Sequence, residues 1–170
     1  EPAVETLMDF FFFFCILRVA EKCNGSGDCR KPVSAGGTMC PSYRATKDEK
    51  DTTRARANML REILTHSEKA NKFDSEELKK IFDLCLSCKA CSSECPSNVD
   101  IASLKAEFLY QYYQSNPVDF RTQMFADNVK WNKLGSIAPT LTNPVLNTDA
   151  TKKIMGIHPK RSIPALQPVT

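Results

Sequence analysis

Four cysteines crowd into twelve residues of this 170-residue chain, CLSCKACSSECP, at Cys85, Cys88, Cys91 and Cys95, with Pro96 after the last. Three of them recur at three-residue steps, so one tight loop can offer three thiolates to three corners of a polynuclear centre without stretching the backbone. The fourth lies beyond the loop, where Pro96 turns the chain and points its thiol elsewhere. This is the spacing of iron–sulfur ligation, in which the last cysteine of a two-cluster protein serves the other cluster. Structural zinc sites take two separated ligand pairs around one tetrahedral ion, and three even steps plus Cys-Pro fit that poorly.

The second cluster must then draw on CNGSGDCRKPVSAGGTMCPSY. Cys23 and Cys29 stand six apart, the separation of first and third ligands in the full motif, but Ser26 occupies the middle step. Cys40-Pro41 supplies a crossing ligand after ten intervening residues instead of three. Crosswise pairing puts Cys40, Cys85, Cys88 and Cys91 around one complete 4Fe-4S cluster. Cys23, Cys29 and Cys95 remain for the other, one thiolate short. That site is expected to hold a 3Fe-4S cluster, or a 4Fe-4S cluster whose last iron binds Ser26, water or another side chain.

Around these loops the apolar spacing is helical, and the fold class expected is all-α. Asp51 or Thr52 can cap a helix with Ala55, Met59, Leu60, Ile63 and Leu64 on one face. Arg54, Arg56 and Arg61 on that helix read either as solvated charge or as groups lying against an anionic cofactor. A capping box, Asp74 with Glu77, opens the next helix, whose apolar face is Leu78, Ile81 and Phe82. Asp100 caps another, with Ile101, Leu104, Phe108 and Tyr112 on its core side. Asn116-Pro117 reads as the start of a last helix that stops near Gly135. Pro139, Pro144, Pro159 and Pro164 then predict an extended tail. The expected organisation is an N-terminal segment (1–19), a helical iron–sulfur domain (20–115), and a helix with its tail (116–170).

At the N-terminus, Phe10–Phe14 begins an apolar run to Leu17 that is far too short to span a bilayer. It reads as a buried strand or half-buried helix, with a membrane-surface anchor as the lesser alternative. Cys15 lies outside any ligand spacing and is expected to be a buried free thiol. Eight cysteines are many, but they cluster instead of spreading as a disulfide framework would. The acidic start lacks the positive charge of a secretory signal, so the thiols are expected to be reduced, in the cytoplasm or on the cytoplasmic face of the membrane. A net charge of +3, with no basic block, gives no argument for nucleic acid. His66 and His158 are isolated and expected at the surface.

The two Cys-Pro motifs separated by helices resemble the α-helical ferredoxin module of succinate dehydrogenase iron–sulfur subunits. CNGSGDCRK, GGTMCPSYRATKDEKDTTRARANMLREIL and CLSCKACSSECPSNVDIASLKAEFL are more closely similar to the iron–sulfur portion of FAD-linked oxidoreductases related to D-lactate and D-2-hydroxyglutarate dehydrogenases. The likeness runs from about Arg18 onward. It implies an electron-transfer module, a flavin dehydrogenase domain as partner, fused or separate, and a quinone or other downstream acceptor. FAD is implied for the parent protein and not for these residues, which show no glycine-rich nucleotide loop. The alternative is a separate iron–sulfur subunit of a glycerol-3-phosphate or succinate dehydrogenase, or a structural zinc module. No side chain reads as a general acid, base or nucleophile, so the chain alone is not expected to turn over substrate. The backbone N–H groups of Ser87, Lys89, Ala90, Ser92 and Ser93 are the expected donors to cluster sulfur.

Overall fold

A computed structural model describes residues 5–8, 10 and 15–168; Phe11–Phe14, most of the phenylalanine run, lie outside them. The described residues form helices and 3-10 turns with no strand, the all-α class expected. They divide into two compact units, residues 1–116 and 117–170.

In the first unit, α1 (Ile16–Glu21) packs on α3 (Thr53–His66), and α2 (Pro41–Thr46) follows directly on Cys40. Thr52 caps α3, its hydroxyl accepting from the Ala55 N–H, and Ala57, Leu60 and Leu64 turn inward at helical spacing. The short α4 (Glu76–Asp83) buries Leu78 and Phe82. Its cap is Ser75, not Asp74: the Asp74 carboxylate is taken by Asn116 at 2.9 Å and Lys69 at 3.0 Å, which leaves the neighbouring hydroxyl to receive the Leu78 N–H. After the cysteine loop and α5 (Ala90–Glu94), Asp100 caps α6 (Ile101–Ser115) through the Ala102 and Ser103 N–H groups, as expected. The rings of Phe82 and Phe108 stack at 5.3 Å between α4 and α6, both fully buried. Burying a side chain of this kind stabilises by roughly 1.5–3 kcal/mol, so these facing rings hold α4 and α6 on either side of the cysteine loop.

Glu107 of α6 is buried among these apolar groups without being orphaned. Its carboxylate accepts from the Leu7 and Met8 N–H groups at 3.1 and 2.9 Å and from Gln111. The chain entry is thereby fastened to α6. Cys15 is partly exposed at the start of α1, not buried as expected, because it is the non-helical residue before Ile16.

The second unit corrects the expected tail. Asp119, not Asn116, caps α7 (Phe120–Ala126), and the chain breaks at Asp127 before α8 (Asn128–Gly135). Two further helices follow where an extended chain was expected, α9 (Pro139–Leu146) and α10 (Asp149–Ile154). Pro139 sits in the first turn of α9, where its missing N–H costs nothing, and only Pro144 forfeits a helical bond. Beyond Gly156 the described residues form no helix and are pinned by Asn143, whose side chain bonds both backbone groups of Leu166. His66 and His158 are exposed, as expected. No described helix is long and apolar enough to cross a membrane.

Candidate metal centre

The loop between α4 and α5 bends through two left-handed residues, Ser87 (φ 51°) and Lys89 (φ 61°), on either side of Cys88. Cys40 is itself left-handed (φ 53°) at the entry to α2. Such conformations cost non-glycine residues about 1–2 kcal/mol each, so the surrounding structure has to hold them. Their result is a convergence: Cys40, Cys85, Cys88 and Cys91 line one solvent-open hollow, together with Thr53 and Arg56 of α3 and Ile101 and Ala102 of α6. Cys40 and Cys91 are buried there, Cys85 is half-buried and Cys88 is exposed.

Positive groups surround these sulfurs. The Thr53 N–H, in the first turn of the 14-residue α3, donates to Cys40 Sγ at 3.1 Å, and the Thr53 hydroxyl lies 2.9 Å from the same sulfur. Burial pushes the Cys91 thiol up, while the first amides of α6, Ile101 and Ala102, pull it down. Helix N-termini carry partial positive charge, and two of them meet the hollow. The Lys105 ammonium donates to the Cys85 carbonyl at 2.7 Å. Of the expected donors, Ser92 gives its N–H to the Lys89 carbonyl at 2.9 Å, and Thr53 is a donor that spacing did not indicate.

Of the three α3 arginines, Arg61 is exposed and Arg54 is paired with Glu49 at 2.6 Å. Arg56 is the one at the hollow, and it is 2% exposed. Its Nε donates to the Ile81 carbonyl at 3.0 Å, and its Nη1 donates to the Asp51 carbonyl at 2.6 Å and to Ser42 Oγ at 3.2 Å. Its Nη2 stands 3.6 Å from Asp51 Oδ1 and has no hydrogen-bond partner.

Cys23, Cys29 and Cys95 occupy the same apolar cluster, Cys29 and Cys95 buried and Cys23 packed against it. The Cys29 and Cys40 side chains act on one another. That interaction holds the Cys29 thiol well below, and the Cys40 thiol well above, the ordinary thiol range, with the Arg54 amide also favouring Cys29 thiolate. Cys40 thus interacts with Cys29 while lining the hollow with Cys85, Cys88 and Cys91. Ser26 is exposed, its N–H donating to Asn24 Oδ1 at 3.1 Å. Among the described residues no three Cys, His, Asp or Glu side chains meet where a single metal ion would sit. A cubane instead takes each thiolate on a different iron, so its ligands need only surround a volume. The soft donor set and the unpaired buried N–H of Arg56 both fit an anionic iron–sulfur group.

The two cysteine loops are locked together by Glu94. Its carboxylate accepts from the Thr38 N–H at 2.8 Å, the Thr38 hydroxyl at 2.6 Å and the Met39 N–H at 3.0 Å, directly ahead of Cys40. Gly37 (φ 68°) lies so close that an added Cβ would sit 2.6 Å from Glu94 Oε2. Gly37→Ala is therefore expected to lower stability by about 1–2 kcal/mol from the left-handed backbone, with the collision added. Denaturant midpoints check this. In a Glu94→Ala background the collision is gone, so the two substitutions together are expected to cost less than their sum.

Residues 22–100 match the family described as the 4Fe-4S dicluster domain. Over 88% of its length the chain is 26% identical to the D-2-hydroxyglutarate dehydrogenase of Escherichia coli (strain K12), and it spans 19% of that protein. Over 55% of its length it is 29% identical to the D-2-hydroxyglutarate dehydrogenase of Haemophilus influenzae, of which it spans 12%. The chain thus corresponds to about a fifth or less of these relatives. No solved structure matches it.

Proposed function

We propose that this chain, an iron–sulfur module related to the D-2-hydroxyglutarate dehydrogenases, holds two clusters on seven cysteines and serves as the electron relay of a flavin-linked dehydrogenase acting on a D-2-hydroxy acid. The single observation behind this reading is the hollow itself. Cys40 stands 45 positions before Cys85 in sequence, yet both line it with Cys88 and Cys91. That is the crosswise set inferred from spacing alone.

Cys40, Cys85, Cys88 and Cys91 would hold a 4Fe-4S cluster; Cys23, Cys29 and Cys95 would hold the second, three-iron or four-iron. When bound, such clusters accept and release electrons singly, the step needed between a two-electron flavin and a quinone or other acceptor. The chain's own residues supply the rest. Thr53 and the first turn of α6 direct N–H groups at ligand sulfur, which offsets part of the cost of holding thiolates at these buried positions. Glu94 keeps the Cys40 and Cys95 loops in register. FAD belongs to a dehydrogenase domain that the module would face, not to these residues.

Anaerobic purification of the chain tests the reading. The expected product is brown and carries iron and acid-labile sulfide for two clusters per chain. Stoichiometric zinc without sulfide would overturn it in favour of a structural zinc module.

A further inference from the structure

Every N–H of a fully buried guanidinium needs an acceptor, because leaving a charged donor unpaired away from water costs more than the roughly 1–3 kcal/mol of a neutral one. Arg56 meets that requirement on one side only. Its Nε and Nη1 bond the Ile81 and Asp51 carbonyls and Ser42 Oγ, while its buried Nη2 has no hydrogen bond. The Asp51 carboxylate lies 3.6 Å away, close enough to share charge but beyond hydrogen-bonding distance, and its other oxygen is taken by the Thr46 hydroxyl at 2.6 Å. Arg56 also lines the hollow formed by Cys40, Cys85, Cys88 and Cys91.

We infer that Arg56 supplies a charge-assisted N–H bond to the sulfur of the cluster held by Cys40, Cys85, Cys88 and Cys91, and that its charge raises the reduction potential of that cluster relative to its partner. This rests on the two-cluster reading. A reduced cluster carries one more negative charge than an oxidised one, so a fixed positive group beside it favours the reduced form, and a buried charge such as Arg56 is screened less than an exposed one. The guanidinium is also pre-set: its three bonds to α2, to the turn before α3 and to α4 hold it in place before any cluster binds. Arg54, engaged by Glu49, and the exposed Arg61 have no comparable access.

The test is an EPR-monitored redox titration of the intact, cluster-loaded chain, with acid-labile sulfide measured on every sample. Arg56→Gln is expected to shift the midpoint of the four-cysteine cluster to lower potential and leave the three-cysteine cluster in place. Arg56→Lys, keeping the charge but losing the planar fork, is expected to shift it less. Asp51→Asn removes the opposing charge and is expected to shift the same midpoint upward, a sign that a merely structural role would not produce. Unchanged midpoints in variants that retain full sulfide would overturn the inference, as would equal shifts of both clusters. Should the Arg56 variants lose sulfide, Asp51→Asn decides: an upward shift supports the inference, no shift overturns it. A wild-type chain without sulfide sinks the functional reading instead, which keeps the two failures apart.

Discussion

Removing iron from the loaded chain is expected to abolish the cooperative thermal melt of the first unit. On the proposed ligand sets, one cluster ties Cys40 to the loop at Cys85, 45 positions away, and the other ties Cys29 to Cys95, 66 positions away. By loop-closure entropy each tie restricts the unfolded chain by about 4 kcal/mol. Two such ties come to about 8 kcal/mol, within the whole net stability of an ordinary domain, roughly 5–15 kcal/mol. Cluster binding is then inseparable from folding, as in other small metallo-domains. The core adds to the argument, because Cys29, Cys40, Cys91 and Cys95 are themselves among its buried members. Without iron those positions offer thiols to an apolar interior and leave Arg56 Nη2 without a hydrogen bond. Circular dichroism melts of loaded and chelated protein check the expectation. An apo form that melts as sharply and at the same temperature would show that the apolar contacts alone suffice.

Much of this arrangement was legible in the sequence because its signals are local. The three-residue steps of Cys85, Cys88 and Cys91, the cap at Asp100 and the inward face of α3 each depend on residues within one or two turns. That Cys40 lines one hollow with the distant loop is in keeping with the Cys-Pro spacing of the two motifs. What escaped depends on competition between neighbours or on tertiary burial. Asp74 and Ser75 are both competent caps, and only the contacts of Asp74 with Asn116 and Lys69 decide for Ser75. Prolines 139 and 144 look like helix breakers until the register shows that one lies in a first turn. Three arginines share α3, and spacing alone cannot say that Arg56 is enclosed while Arg54 and Arg61 are not. The donor role of Thr53 follows from the angle at which α3 meets Cys40, which no local pattern records.

Replacing Ser26 by cysteine is expected to complete the ligand set of Cys23, Cys29 and Cys95 and to give the proposed site a stable four-iron cluster. Ser26 takes the middle step between Cys23 and Cys29, where the second ligand of a complete motif would stand. The loop that carries it is built for a sharp turn, with left-handed glycines on both sides, Gly25 (φ 78°) and Gly27 (φ 81°). A cysteine there needs no change of backbone, since it differs from serine in one atom. The serine hydroxyl is a hard donor where iron–sulfur centres favour soft ones, and it already helps to stabilise the Asp28 carboxylate, after the larger contribution of Lys31. On the proposed assignment the fourth corner would thus lack a good ligand. Oxidised wild type is expected to show the EPR signal of a three-iron cluster; Ser26→Cys is expected to lose that signal and to bind one iron more per chain. Ser26→Ala separates the alternatives, because it removes the oxygen without supplying a thiol and is expected to leave the three-iron signal intact. If wild type lacks the signal and neither substitution alters iron content or spectra, Ser26 is a turn residue only. The missing ligand must then come from another part of the protein, and the assignment of Cys23, Cys29 and Cys95 to a cluster of their own falls.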